Sequence, residues 1–413
     1  MGTGAPTDNR RRVPIRRLAS FAALPAVAAL TPLLAIPAIT SSLGSAGWAA
    51  IAVGQAVGTL AMMIISYGWG TTGPSEIPKR SPAERADLYR TSFASRLLVA
   101  IPAVPLAACA AAWLATAEFR AASVITSVGF AIWGLSPTWY FVGAGRPIMI
   151  AAYETLPKLA AATISAVWLL LTPSSTAYGA CFLVAGLASA VTAAARIGGV
   201  ARWRVRGIRE HLITNASITG ARILGASFTT LSVPMVSIVQ PGAVPVFAAV
   251  ERFRNFAWMA VNAVAMALQG WAAEEPDAET SRGRRRTALA VTLSAGCLAG
   301  VSVAIGLPVL DSWVFSGQVV IPWDVAATTG ATIAIVSASL SLTFHFLGPM
   351  GAGRPILLAN VAGAIVGTPA LLVFSTYGGA LGAACAVLLA EAVVMAFLAW
   401  GKRRVESNFG VRA

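Results

Sequence analysis

The sequence alternates between long apolar runs and short polar segments along almost its whole length. Each run has about 20 residues, the length that a helix needs to cross a hydrocarbon core of roughly 30 Å. A segment in lipid must satisfy its own backbone hydrogen bonds, and a continuous apolar run does so as a helix. The pattern therefore predicts about 12 spanning helices, at residues 18–40, 48–69, 93–116, 122–142, 148–171, 177–195, 212–239, 244–271, 287–310, 325–347, 355–374 and 379–400.

Composition supports this interpretation. Hydrophobic residues make up 57% of the chain and charged residues only 11%, whereas soluble domains carry about 25% charged residues. The net charge of +14 does not indicate nucleic acid, because the Lys and Arg residues lie in short loops between apolar runs, as they do in membrane proteins. The fold class is thus an all-α polytopic membrane protein.

The loops alternate in charge along the chain. The N-terminus, the even-numbered connections and the C-terminal tail hold nearly all loop cations, whereas the odd-numbered connections hold Arg120, Asp311 and Asp324. The positive-inside tendency then places both termini in the cytoplasm. The predicted organisation is a basic cytoplasmic N-terminus (1–17), an N-terminal six-helix bundle (18–196), a basic cytoplasmic linker (197–211), a C-terminal six-helix bundle (212–400) and a cytoplasmic tail (401–413).

A hexapeptide, Gly-Ala-Gly-Arg-Pro-Ile, occurs at 143–148 and again at 351–356. Aromatic residues precede both copies, and an apolar run follows each of them. The repeat indicates an internal duplication, which in membrane transporters places a binding site between two related halves. Each Pro is expected in the first turn of the following helix, and both loops are expected on the cytoplasmic side. The two bundles are then pseudo-symmetric.

Charges inside the spans are the candidate functional residues, because a charge at membrane depth needs a partner or a water-filled cavity. Glu154 and Lys158 are four residues apart on one helix face, as a structural pair or as coupling or gating charges. Glu391 is either a partner for an arginine of another helix or a site for a coupling cation or proton. Arg96, which begins the third span, is expected to be an interfacial anchor.

The seventh and eighth spans concentrate polar residues that suit an anionic ligand. Arginine binds phosphate oxygens through a planar two-point fork. Glu251 is expected to pair with one of the arginines, and Arg252 either lines the transport path or extends to the outer headgroups. The predicted substrate-binding residues are Arg222, Glu251, Arg252, Arg254 and Asn255, with Asn215 and Asn262 nearby.

The sequence contains no motif that indicates metal binding or catalysis. The four cysteines fall inside apolar segments and read as small buried hydrophobic residues. The sequence has no HExxH, P-loop or GxSxG motif, and only two histidines. No metal, no cofactor and no enzymatic activity are therefore predicted.

Three stretches resemble the Wzx-type polysaccharide flippases of the multidrug/oligosaccharidyl-lipid/polysaccharide exporter superfamily. These are 47–55 running to the aromatic residues of 67–70, the aromatic-rich 137–143, and 246–252 with Glu251 and Arg252 as its charged pair. The resemblance implies a multi-pass protein of the bacterial cytoplasmic membrane that translocates an undecaprenyl-diphosphate-linked oligosaccharide. It also implies alternating access around a cationic central cavity, with membrane lipids and other polysaccharide-assembly proteins as partners.

Three alternatives stay open. A multidrug or small-molecule antiporter of the same fold usually needs carboxylates in the N-terminal half, where the spans offer only Glu154. A membrane enzyme such as a polymerase generally carries a large outer loop, and the outer loops here are short. A scaffold without transport activity is the third alternative.

Overall fold

A computed structural model describes residues 15–198, 207–273, 278–350 and 352–410; within these ranges it does not describe the side chains of 15–32, 214, 217–218, 221–222, 224–227, 270–273, 278–282, 406 and 408–410. The described part of the chain is helical apart from short turns, and it contains no strand. The helices are α1 (Ile15–Ser66), α2 (Trp69–Glu76), α3 (Pro82–Leu114), α4 (Arg120–Ile132), α5 (Thr138–Gly143), α6 (Pro147–Ile150), α7 (Leu156–Leu171), α8 (Ala177–Ala193), α9 (Ile208–Val239), α10 (Val244–Ala273), α11 (Ala278–Val314), α12 (Trp323–Ser341) and α13 (Gly353–Gly410).

The first and last helices are each broken by one glycine. Gly44 in α1 has φ 67° and Gly379 in α13 has φ 54°, both in the left-handed region that a residue with a Cβ rarely adopts. Gly44 lies in the loop expected between the first two predicted spans, and Gly379 begins the last one. Each helix therefore consists of two arms, and we refer to them as the first and second arms of α1 and of α13.

Eight helical segments of the described chain are long and apolar enough to cross a membrane. This confirms a helical membrane protein with many spans. By this measure α1 and α13 each contribute a single segment, although each has an internal break. The count of about 12 spans, the two six-helix bundles and the cytoplasmic termini stay predictions. The predicted N-terminus and linker lie partly outside the described residues.

The helices continue through wider, π-helical turns at Ala151–Thr155, Ala194–Gly198 and Leu342–Leu347. Such turns are rare and frequently mark functional positions. The first contains Glu154, and the last precedes the second copy of the hexapeptide. Pro147 is the first residue of α6, and Pro355 lies in the first turn of α13. The expected helix-starting role of both prolines is thus confirmed.

Close packing in this fold depends on small residues. On α1, a Cβ at Gly54 or Gly58 would overlap the carbonyl oxygen of Ser123 or Ser127 on α4. Helices in lipid gain little from hydrophobic association, so close backbone approach through small residues is a main source of their packing energy.

The N-terminal half (18–196) and the C-terminal half (212–400) meet at both ends of the second arm of α1. Near its start, Trp48 donates its indole N–H to the Pro245 carbonyl at 3.1 Å. Beyond its end, the Thr72 hydroxyl donates to the Asn215 side-chain oxygen at 3.3 Å. The arm itself, from Trp48 to Ser66, is about 27 Å long at 1.5 Å per helical residue. The cavity described below lies along the arm between these two contacts.

Candidate substrate cavity

A cavity of about 790 Å³ lies beside the second arm of α1. Its other walls are α9, α10, α12 with the π-helical turn that follows, and both arms of α13. The lining from the N-terminal half comes from the second arm of α1 alone, among the residues that the structure describes. The cavity therefore belongs mainly to the C-terminal half.

Helix α10 supplies most of the charge in this cavity. Glu251 and Arg254 form a two-point ion pair, in which Nε and Nη2 of Arg254 each donate to one carboxylate oxygen at 2.7 Å. Both side chains are almost fully buried. A buried charge is tolerated when it is paired and hydrogen-bonded in this way. The expected partnership of Glu251 with an arginine is confirmed, and its partner is Arg254.

Arg252 points toward the N-terminal half. Its guanidinium donates to the side-chain oxygen of Gln55 on α1 and lies 5.8 Å from the centroid of the Trp48 ring. Within the described chain, no carboxylate lies within ion-pair distance of Arg252. These contacts support the alternative in which Arg252 lines the path, and that role stays a prediction. Arg252 places a positive charge with a neutral partner in the cavity wall.

Glu391, on the second arm of α13, also lines the cavity. It is close enough to Arg254 and Glu251 to interact electrostatically with both. No cation of the described chain lies within ion-pair distance of its carboxylate. Direct pairing of Glu391 with an arginine is thus not found among the described side chains, and a coupling role stays a prediction.

The cationic cavity expected from the sequence is not found in the described lining. Arg252 and Arg254 are matched there by Glu251 and by Glu391, so the positive and negative charges balance. The sequence placed Arg222 in this site as well. Its backbone lies in α9, but its side chain is outside the part of the chain that the structure describes.

Asn255 and Asn262 both line the cavity, as expected. Asn215 does not, because it contacts Thr72 at the junction of the two halves. Sequence reasoning missed Gln55 and Thr59 on α1 and Asn360 on α13, which also line the cavity. The spacing of Gln55, Thr59 and Met63 by four residues places them on one helix face. A polar glutamine inside an apolar span was thus the sequence signal that could have identified the cavity-lining face of α1.

The Glu154–Lys158 pair lies elsewhere, within the N-terminal half. The Lys158 ammonium donates to Glu154 at 2.6 Å and lies 4.7 Å from the centroid of the Trp133 ring. Glu154 also accepts hydrogen bonds from the hydroxyls of Ser136 and Thr138. Neither charge lines the cavity. This geometry supports the structural alternative, and a coupling or gating role stays a prediction.

Arg96, which was expected to be an interfacial anchor, is buried instead, and so is the nearby Trp69. Arg96 is only 1% exposed and donates to the carbonyl oxygens of Gly134 and Ser136 at 3.1 and 2.8 Å. Trp69 packs on Trp139, with ring centroids 5.2 Å apart, and donates to the Ser95 hydroxyl. The carbonyls near Gly134 can accept hydrogen bonds from Arg96 because the helix ends there in a 3₁₀ turn, Trp133–Leu135, and the last carbonyls of a helix have no partner within it. Arg96 thus connects α3 to the segment ahead of α5.

No group of three or more His, Cys, Asp or Glu side chains that could hold a metal ion occurs among the described residues. The cavity combines one ion pair, one amide-bound arginine, a half-buried carboxylate and several amides and hydroxyls. These groups can bind and orient a polar ligand.

Comparison with solved structures shows which known proteins share this fold. The lipid II flippase MurJ in an inward closed conformation matches with a TM-score of 0.71 at 10% identity, over 92% of this chain and 86% of the flippase. A multidrug resistance MATE family transporter of the MOP superfamily, in an inward-facing conformation, matches with a TM-score of 0.71 at 14% identity, over 93% and 96% of the two chains. The eukaryotic MATE transporter AtDTX14 matches with a TM-score of 0.58 at 12% identity, over 95% and 97%.

The chain has the fold of these transporters. No protein-family profile matches it, and no curated protein matches it in sequence. The fold that the sequence resemblance implied is thereby confirmed. The narrower resemblance to Wzx-type flippases stays a prediction. The fold and the apolar helices indicate a multi-pass membrane protein.

Proposed function

We propose that this protein is a flippase that moves an undecaprenyl-diphosphate-linked oligosaccharide from the cytoplasmic to the outer leaflet of a bacterial cytoplasmic membrane. Supporting observations are the fold, which it shares with a lipid II flippase among others, and the resemblance of its motifs to Wzx-type proteins. The observation that carries the proposal is Arg252, a cation in the cavity wall whose only hydrogen-bond partner in the described chain is the neutral amide of Gln55.

Arg252 suits a diphosphate for a physical reason. A phosphate carries the opposite charge to the guanidinium and can accept two parallel hydrogen bonds from its fork, whereas the Gln55 side chain offers one neutral oxygen. A phosphate oxygen that enters the cavity therefore competes well with the Gln55 amide for the guanidinium. The cavity volume of about 790 Å³ is in the range of pockets for ligands of modest size, roughly 300–1,000 Å³. It accommodates the diphosphate with the adjoining sugars and leaves the rest of the lipid outside.

Binding of this kind also suggests how transport proceeds. The Arg252–Gln55 contact joins the two halves, so a ligand that draws Arg252 away from Gln55 weakens the junction near Trp48. The ligand can then favour opening at that end, since it shifts the equilibrium by its differential affinity for the two states. Alternating access of the two halves follows from this exchange of partners.

The deciding experiment is mass spectrometry of the lipid-linked sugar pool in a deletion strain, combined with a test of outer-leaflet accessibility. Accumulation of a complete oligosaccharide on undecaprenyl diphosphate, confined to the inner leaflet, is the expected result. Re-expression of the wild-type protein is expected to clear this pool. Re-expression of Arg252→Gln at equal abundance is expected to leave it in place, and Arg252→Lys to clear it partially, because Lys keeps the charge and loses the fork. A normal pool in the deletion strain would contradict the proposal.

A multidrug or small-molecule antiporter is the second candidate, and Glu391 is the observation that favours it. This half-buried carboxylate lines the cavity without an ion-pair partner in the described chain. Such a group suits a cationic compound or a coupling ion. If the deletion strain keeps a normal pool but loses resistance to small organic cations, and if Glu391→Gln reproduces that loss, the antiporter is the function.

A further inference from the structure

The second copy of the hexapeptide lies against a cationic segment at the end of α13. A Cβ on Gly401 would lie 2.6 Å from the Cβ of Pro355, so the backbone at Gly401 packs directly on the hexapeptide. Arg354 precedes this contact, and Lys402, Arg403 and Arg404 follow it. Residues distant in sequence thus gather at one end of both arms of α13. We call Arg354, Lys402, Arg403 and Arg404 the α13 cation cluster.

The three arginines of the cluster carry charge that no described carboxylate neutralises. Arg354, Arg403 and Arg404 are exposed, and none of them has a carboxylate within ion-pair distance among the described side chains. The segment from 401 to 410 contains one acidic residue, Glu406, whose side chain is not described. Even with Glu406 counted, the cluster has an excess of positive charge. The N-terminus of α13 adds favourable backbone N–H groups at the same place.

The cluster also lies at the border of the cavity. Ile356, the last residue of the hexapeptide, and Leu398, one turn before Lys402, both line the cavity. Phe344 lines it as well, and the ring of Phe346 lies 4.7 Å beneath the Lys402 ammonium. A ligand held by the cluster therefore has a short path to the polar groups inside.

On its other side the cluster adjoins a lipid-facing surface. The guanidinium of Arg404 lies 5.1 Å from the Trp400 ring, and Trp400 packs against Phe397 at 6.4 Å between centroids. Both aromatic residues are exposed, as are Leu357 and Leu358 on the first arm of α13. Exposed apolar side chains on a spanning helix contact lipid tails. The cluster thus lies between the hydrocarbon and the cavity.

We propose that the α13 cation cluster is the loading site for the diphosphate headgroup of the lipid-linked substrate at the predicted cytoplasmic surface. This inference rests on the proposed flippase function. The cluster holds the diphosphate through charge-assisted hydrogen bonds, while the prenyl chain lies along Trp400, Phe397 and the exposed leucines. The headgroup then passes by Ile356 and Leu398 to Arg252. The substrate class is a prenyl-diphosphate lipid rather than a bulk anionic phospholipid, because only the former must carry its headgroup into the cavity.

The first copy of the hexapeptide provides a matched control. Arg146 is exposed, like Arg354, and occupies the same position in the same six residues. None of the described cavity lining comes from residues 64–228, so Arg146 is not beside the cavity. A cation that acts only through general surface charge has the same effect at both positions, whereas a loading site depends on Arg354 and its neighbours alone.

The test measures, by native mass spectrometry, how much undecaprenyl diphosphate binds to the purified full-length protein. All variants carry Arg252→Gln, which removes the cavity arginine that has no ionic partner in the described chain. We expect Arg354→Gln/Arg403→Gln/Arg404→Gln to weaken binding at least tenfold and Arg146→Gln to leave it unchanged. Phosphatidylglycerol at equal concentration is expected not to displace the diphosphate lipid. A triple Arg→Lys variant is expected to retain more binding than the Gln variant, which separates loss of charge from loss of folding.

Other results would overturn the inference. Unchanged binding in the triple Gln variant, equal weakening by Arg146→Gln, or equal competition by phosphatidylglycerol would each do so, while the flippase proposal would stand. If the protein with Arg252 intact does not bind undecaprenyl diphosphate at all, the loading site and the proposed substrate both fail. The two failures are therefore distinguishable.

Discussion

Four charged side chains of α10 and α13 line one cavity, and each is accommodated differently. Glu251 and Arg254 neutralise each other through two hydrogen bonds of 2.7 Å. Arg252 has an amide partner on another helix, and Glu391 has neighbouring charges without direct contact. The ion pair joins two residues one turn apart on α10, whereas Arg252 and Glu391 have no ionic partner among the described side chains. From this difference we propose a structural role for Glu251 and Arg254 and a binding role for Arg252 and Glu391.

The first residue-level prediction concerns the buried pair. Glu251→Gln leaves the Arg254 guanidinium buried without its counter-ion, and loss of one partner from a buried pair costs about 3–5 kcal/mol. We expect a large fall in the thermal unfolding temperature of the purified protein. The double variant Glu251→Gln/Arg254→Met removes both charges and is expected to recover much of the lost stability. If the single and double variants unfold at the same temperature, the pair does not have this structural role.

At the level of the helix, small residues decide which elements approach closely. Helices α11 and α12 meet where Gly300 faces Gly330, and a Cβ on either would overlap the carbonyl oxygen of the other. Gly296 has a similar contact with the Ser337 side chain. Glycines of α1 pack in a similar way on α4 in the other half, so each half contains at least one helix pair that depends on glycine.

The helix-level prediction compares two glycines of α11. Gly300→Ala introduces a methyl group where the Gly330 carbonyl lies, and such overpacking typically costs about 1–3 kcal/mol. Gly306→Ala is the matched control, because nothing in the described chain lies within 4 Å of a Cβ there. We expect a clear loss of thermal stability for the first variant and little change for the second. Equal behaviour of both variants would show that α11 and α12 do not pack as described.

At the scale of the whole molecule, the contacts between the two halves bear on the proposed transport. Trp48 contacts Pro245 near one end of the second arm of α1, and Thr72 contacts Asn215 beyond the other end. Both contacts are hydrogen bonds between halves, and the cavity lies along the arm that connects them. Transport by alternating access requires these contacts to form and break in turn.

The whole-molecule prediction is that a cross-link between the halves stops transport. In a background without the native cysteines at 109, 181, 297 and 385, oxidation of Thr72→Cys/Asn215→Cys is expected to block clearance of the lipid-linked sugar pool. A reductant is expected to restore it, because the block is mechanical. The pair Ser42→Cys/Leu169→Cys lies within the N-terminal half, where Ser42 donates to the Leu169 carbonyl. Cross-linking of that pair is expected to leave transport intact, and a fully cross-linked but active Thr72/Asn215 variant would contradict alternating access here.

The sequence by itself determined the helical membrane class, the breaks near Gly44 and Gly379, and the positions of Pro147 and Pro355 in the first turns of their helices. These depend on local chemistry: apolar length, the conformational freedom of glycine and the fixed φ of proline. The close spacing of Glu251, Arg252 and Arg254 also indicated a charged site, because neighbours on one helix remain neighbours in the fold.

Only the tertiary structure decided which of these charges are paired and which face the cavity. Arg254 and Arg252 are two residues apart, yet one turns to Glu251 on its own helix and the other reaches Gln55, 197 residues away in sequence. Arg96 was expected at the interface and is buried, because carbonyls 38 and 40 residues further on accept its hydrogen bonds. The α13 cation cluster likewise forms only when Gly401 packs on Pro355. Such partners are brought together by helix packing, and spacing along the chain does not contain that information.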